Sequence, residues 1–167
     1  KSINKLKRNK IKVITGIKKD ITLNTNKFFF RSIKKKKPFT KVKMAISNDE
    51  KIAWGNYKSK WISNSKSRQH AHNLRNLSQA ILTTSKTIIK DNPRFTVRKK
   101  NKILKNLNVI VVDKDLKIPL NSRILNNIHD KRVIIFTSMN NSKSLKLKQL
   151  GCEIIKMKIK NNEINLN

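Results

Sequence analysis

Residues 107–113 read "LNVIVVD". A continuous apolar run of this length, closed by an aspartate, is the pattern of a strand buried on both faces of a sheet. Downstream, "RVIIF" (132–136), a short polar helix over "SKSLKLKQLG" (142–151) and "CEIIKMK" (152–158) complete a strand–helix–strand unit. Upstream, "SKTIIKDNPRF" (85–95) reads as a short helix stopped by an Asn-Pro turn, and "AILTT" (80–84) as the strand before it. "SNSKSRQHAHNLRNLSQ" (63–79) has a serine-rich start and apolar Ala71, Leu74 and Leu77 on one helix face. "FTKVKMAIS" (39–47) alternates apolar and polar residues as a strand does. Strands alternating with helices predict an α/β domain with a mainly parallel sheet. The segment before it has another texture: "INKLKRNKIKVITGI" (3–17) reads as a helix end and a short strand over 11–14. "LNTNKFFFRSI" (23–33) reads as a helical stretch closed by the basic run and Pro38. Residues 1–36 therefore read as a tail or connector, and 37–167 as the main domain.

A chain of 167 residues with 37% hydrophobic residues can bury one core. No apolar stretch has the length of a membrane span, and no signal-peptide pattern is present. The single cysteine, Cys152, excludes an internal disulfide and any zinc site needing two thiolates from this chain. A reducing cytoplasm fits. The charge is extreme, with 41 Lys+Arg against 9 Asp+Glu, and a nucleic-acid-binding protein is the alternative it raises. The excess is mostly Lys, spread along the chain and accompanied by Asn and Ile, all with A/T-rich codons. Compositional bias therefore accounts for it better than selection for nucleic acid.

With glycine only at 16, 55 and 151, neither a dinucleotide-binding G-x-G-x-x-G loop nor a Walker loop exists. His70 and His72 in "HAH" point to different helix faces, so they read as a solvated pair and not as metal ligands. The zinc deaminase signature, H-x-E with P-C-x-x-C, is absent. By contrast "IAWGNYKSKWIS" (52–63) holds both tryptophans and the only tyrosine of an aromatic-poor chain.

Four ordered stretches carry a resemblance: "VKMAISNDEKIA" (42–53), "GNYKSKWIS" (55–63), "NLRNLSQAIL" (73–82) and "TIIKDNPRFTVR" (87–98). Together they resemble the reductase domain of the bifunctional riboflavin-biosynthesis deaminase/reductase, firmly over residues 36–125. The resemblance implies a dihydrofolate-reductase-like α/β fold. The implied reaction is NADPH-dependent reduction of 5-amino-6-(5-phosphoribosylamino)uracil to its ribitylamino product, the hydride going to the ribose carbon that bears the amine. Carried over residue by residue, Ala45, Trp61, Thr87 and Asp91 contact the NADP(H) cofactor, while Ser59, Arg75, Phe95 and Arg98 contact substrate. The residue types suit these roles. An indole offers a flat apolar wall, Asp91 can accept from cofactor hydroxyls, and arginine grips a sugar phosphate bidentately. Only 8 of the 41 basic residues are Arg, which makes Arg75 and Arg98 informative. Lys43 matches a strand lysine able to donate a proton or polarise the imine.

Three departures from the family stand out. Glu50 occupies a glycine position where a turn can require positive φ. Lys114 follows "VVD" where many members carry a serine. The sequence stops at Asn167, before the family's C-terminal strand and its E-G-G-type loop, and its first 36 residues resemble the end of a deaminase domain with its connector. The resemblance thus implies a reductase incomplete at both ends. Its protein partners would be a second copy in a homodimer or a separately encoded deaminase, and an inactive remnant is a further reading.

Overall fold

A computed structural model of the chain describes residues 2–53, 55, 61–99, 102–160, 163 and 164. They form two compact units, Lys1–Met44 and Ala45–Asn167. The first holds three short helices, α1 (Ser2–Arg8), α2 (Lys19–Thr25) and α3 (Lys27–Lys35), none of which buries a residue. Its order comes from rings and cations. Phe28 and Phe39 pack with centroids 4.5 Å apart, Lys41 lies over Phe28 and Arg31 over Phe39. The strands expected at 11–14 and 39–47 do not form: both stretches are irregular. Val42 and Met44 are 85% and 68% exposed. An alternating pattern becomes a strand only when a neighbour supplies ladder hydrogen bonds, and neither segment has such a neighbour among the described residues.

The second unit opens with a tight turn, in which Ser47 N donates to Lys51 O at 2.9 Å and Lys51 N to Ser47 Oγ at 3.1 Å. Helix α4 (Ser65–Asn76) follows. It is capped by Asn64, whose side chain accepts from Ser67 N at 2.8 Å. Strand β1 (Ala80–Thr84) runs directly into α5 (Ser85–Asp91), which ends at Asn92 in the left-handed region. A hairpin of β2 (Thr96–Lys99) and β3 (Lys102–Asn106) comes next. Strand β4 (Asn108–Val112) leads into a long connection carrying two single 3-10 turns, then β5 (Val133–Thr137), α6 (Ser142–Gln149) and β6 (Glu153–Lys156). A last two-residue pair, β7 (Ile159–Lys160) and β8 (Glu163–Ile164), closes the described chain.

The sheet has the order β1-β4-β5-β6, and every neighbouring pair is parallel. This is the α/β architecture that the alternating elements predict. In β4 and β5 the in-register residues Val109 and Val133, and Val111 and Ile135, are fully buried. Ile88 of α5, Leu147 of α6, and Leu116, Ile118 and Ile124 of the β4–β5 connection join them in one cluster. The opposite face is less covered than the apolar run predicts. Ile110, Val112, Ile134 and Phe136 are only half-buried, and Leu82, in register with Ile110, is 65% exposed. The two helices α5 and α6 and the long connection all serve the first face. The hairpin β2–β3 has no counterpart in the sequence reading. Its strands, "TVRK" and "KILKN", are about half basic or Asn, and such residues do not announce a strand.

Candidate functional site

In a parallel sheet the connections leaving the carboxyl ends of the strands meet along one edge, the usual place for a ligand. Three such connections are well defined here. After β4, the buried Asp113 carboxylate accepts from Lys117 N at 2.9 Å and from Ile118 N at 2.8 Å, fixing the turn that follows the strand. After β5, Thr137 Oγ1 and Ser138 Oγ donate to the Lys114 carbonyl at 2.9 and 2.8 Å, tying the two connections together. Lys114, where the family often has serine, thus contributes its backbone oxygen to this edge, and its Nζ lies 3.6 Å from the Asp115 carboxylate. After β1, Thr87 sits half-buried in the first turn of α5, while Asp91 lies exposed at that helix's last turn.

Arg75 and Arg98, 23 positions apart in sequence, come together where α4 packs on β2. The pairing of β2 with β3 shifts register between Val97 and Arg98, and at that irregularity the Arg98 N–H donates to His72 Nδ1 at 3.3 Å. His72 and Arg75 are one helical turn apart, so both face the hairpin. Arg75 is half-buried. Burial, and then the neighbouring Arg98, hold the Arg75 pKa below its ordinary value. His72 is lowered by burial first and then by Arg75 and Arg98. Neither arginine has a carboxylate partner among the described residues. Arg75 is thus a half-buried cation and Arg98 an exposed one on neighbouring elements, the residue type that grips anions bidentately.

Two further features lie at the start of the same strand. Phe95, just before β2, is a non-glycine residue at φ 51°, with its half-buried ring packed against the core cluster. Thr96 Oγ1 is buried with no hydrogen-bond partner among the described residues. A strained backbone and an unsatisfied buried hydroxyl thus lie within three residues of Arg98 in sequence.

The other sequence-derived positions are more dispersed. Trp61 is 72% exposed, and the Arg68 guanidinium lies over its ring, 4.2 Å from the centroid. Ala45 is half-buried at the start of the second unit, whereas Lys43 is exposed at the end of the first. Ser59, Trp54 and Tyr57 lie outside the described residues. Glu50, in the family's glycine position, adopts φ 59°, so the turn does require the left-handed backbone that glycine would provide without strain. His72 and Thr96 are the site residues that sequence reasoning missed. Reading "HAH" as a solvated pair is wrong for His72, which is half-buried and accepts a hydrogen bond. The bond comes from a strand 26 residues away, so no local pattern could reveal it.

The comparisons with known proteins agree with this architecture. Residues 38–164 match the family model described as the RibD C-terminal domain. The riboflavin biosynthesis protein RibD of Aquifex aeolicus (strain VF5) is 33% identical over 162 residues, covering 95% of this chain and 44% of that protein. RibD of Actinobacillus pleuropneumoniae is 29% identical over 164 residues, covering 98% and 43%. Among solved structures, Acinetobacter baumannii RibD superposes with a TM-score of 0.78 at 25% identity, over 94% of this chain and 44% of that one. The Thermotoga maritima diaminohydroxyphosphoribosylaminopyrimidine deaminase/5-amino-6-(5-phosphoribosylamino)uracil reductase gives 0.72 at 26% identity, over 93% and 49%. The chain spans less than half the length of these relatives. On the family match across the second unit and the parallel sheet that unit shares with these structures, the chain belongs to the RibD C-terminal domain family.

Proposed function

We propose that this chain is the reductase portion of a riboflavin-biosynthesis enzyme, reducing 5-amino-6-(5-phosphoribosylamino)uracil to the ribitylamino product. The carrying observation is that α4 and β2, which carry Arg75 and Arg98, pack together with neither arginine paired to a carboxylate among the described residues, so that the phosphate of a sugar phosphate would find two cations there. Bound NADPH supplies the hydride. The residues available to hold it suit its parts: Trp61 offers an open indole face, and Thr87 and Asp91 offer a hydroxyl and a carboxylate on one helix. Reduction of the ring-opened imine needs one hydride on the ribose carbon and one proton on nitrogen. Lys43 is the candidate donor of that proton, and Ser59 and Phe95 are candidate substrate contacts. Arginine clamps matter for rate as well as affinity, because they fix the acceptor carbon at near-attack distance. Residues 1–36 are the candidate tail of a deaminase domain with its connector, and 37–167 the reductase domain.

Two titrations test this. NADPH fluorescence should report saturable binding that weakens at least tenfold in Trp61→Ala and Asp91→Ala. Ribose 5-phosphate should bind the wild type and lose at least tenfold in Arg75→Ala or Arg98→Ala, since a charge-assisted bidentate contact is worth about 1.5–3 kcal/mol. A chain that binds neither ligand is not this reductase.

A further inference from the structure

We infer that His72 is a positioning residue of the two-arginine anion site, holding Arg98 opposite Arg75 through its hydrogen bond to the Arg98 backbone N–H. This rests on the reading of Arg75 and Arg98 as an anion clamp. The hairpin β2–β3 stands outside the four-stranded sheet; Phe95 before it packs on the core, Lys105 Nζ of β3 donates to Ser78 O at 3.1 Å, and the position of Arg98 itself is set where β2 meets α4. At the register shift in β2, the Arg98 N–H donates to His72 Nδ1 across 3.3 Å. That polar bond joins the strand carrying one guanidinium to the helix carrying the other. An Nδ1 that accepts must be unprotonated, so the neutral ring carries its hydrogen on Nε2.

The surroundings keep the ring neutral. The charged groups facing it are Arg75 from its own helix and Arg98 from β2, both positive, and burial acts in the same direction. Protonation at Nδ1 would end the acceptor role, set a donor against the Arg98 N–H and add a third positive charge. The contact of β2 with α4 at Arg98 would then loosen, and Arg98 would no longer be held in place beside the helix that carries Arg75. His72 therefore acts through Arg98 and needs no contact with the anion. Its position makes the clamp dependent on pH below the ordinary histidine range, in a chain whose arginines never titrate.

The test uses inorganic sulfate, a dianion throughout pH 5–8, so that only the protein titrates. Sulfate affinity is measured by calorimetry at constant ionic strength for the wild type and for His72→Ala, His72→Asn and Arg75→Ala. Asparagine keeps an acceptor oxygen near the place of Nδ1 and cannot take up the proton. Expected at pH 7.5 is a loss of about tenfold in His72→Ala and near-complete recovery in His72→Asn. Between pH 7.5 and 5.5 the wild type should weaken several-fold while His72→Asn stays level. If His72→Ala does not fold, the pH profiles of wild type and His72→Asn still decide. Wild-type binding that tightens as pH falls overturns the inference, because His72 would then serve as a third cation. Sulfate binding lost in Arg75→Ala but unchanged at His72 overturns it too, and leaves the anion clamp standing. A wild type that binds no sulfate at any pH overturns the clamp and this role together.

Discussion

Glu50 and Phe95 hold φ at 59° and 51°, where a side chain is strained and only glycine is at ease. At Glu50 the strain has no ligand to serve among the described groups: Glu50 N donates to Ser47 O at 3.0 Å, and Asp49 and Lys51 form an exposed pair at 3.0 Å. Glu50→Gly should therefore stabilise the domain by about 0.5–1 kcal/mol, read from urea midpoints. Phe95 differs, because its ring packs against the core. Phe95→Gly should destabilise even though it relieves the backbone, and the same denaturation series separates the two cases. His72 gives a pH signature. Its folded pKa lies below the ordinary 6.5, so as pH falls the unfolded chain takes up this proton first. The contribution of His72 is intact above 6.5, declines as pH falls from there through the folded value, and is gone below it. Unfolding at pH 7.5 and 5 should show a drop in stability that is smaller in His72→Asn. Cys152 shifts the opposite way, its thiol pushed up to about 11 by burial. It should resist thiol reagents at pH 8 until the protein unfolds.

Single elements depend on a few polar contacts. Helix α6 is short and mostly polar, yet a reciprocal capping box defines its start: Ser144 N donates to Asn141 Oδ1, and Asn141 N to Ser144 Oγ, both at 3.1 Å. Asn141→Ala should cost about 1 kcal/mol in thermal or chemical unfolding. The connection after β4 depends on Asp113, 2% exposed, whose two oxygens each accept a backbone N–H. Asp113→Ala strands both donors and should cost about 2 kcal/mol or more. By contrast the Arg132–Glu153 pair, bidentate at 2.7 and 2.8 Å, is exposed, and removing it should change the melting midpoint little. The strands β4, β5 and β6 were legible because Val and Ile concentrate in them, and β1 as the short apolar and Thr run "AILTT". The hairpin was illegible because "TVRK" and "KILKN" carry no clean alternation of apolar and polar residues.

Across the whole molecule, the sheet is asymmetric. One face is sealed by α5, α6 and the β4–β5 connection, and the other leaves Leu82 and Ile155 exposed at 65% and 39%. Leu147→Ala on the sealed side should cost about 2–5 kcal/mol, whereas Leu82→Lys on the open side should be nearly neutral, a contrast that urea unfolding reads directly. Among the described residues no helix is long and apolar enough to cross a membrane. The α/β class, the parallel strands, the helix stop at the Asn92-Pro93 turn and the family itself were determined by the sequence alone. Periodicity, caps and ordered motifs are local properties that the chain carries before it folds. The sequence also marked Arg75 and Arg98 as unusual in a lysine-rich chain. Only the tertiary structure decided that the elements carrying them pack together, that His72 ties those elements, that Thr96 is left without a partner among the described residues, and that residues 39–47 form no strand. Each of these depends on a contact with a residue distant in sequence, and such contacts follow from how elements pack and not from which residues compose them.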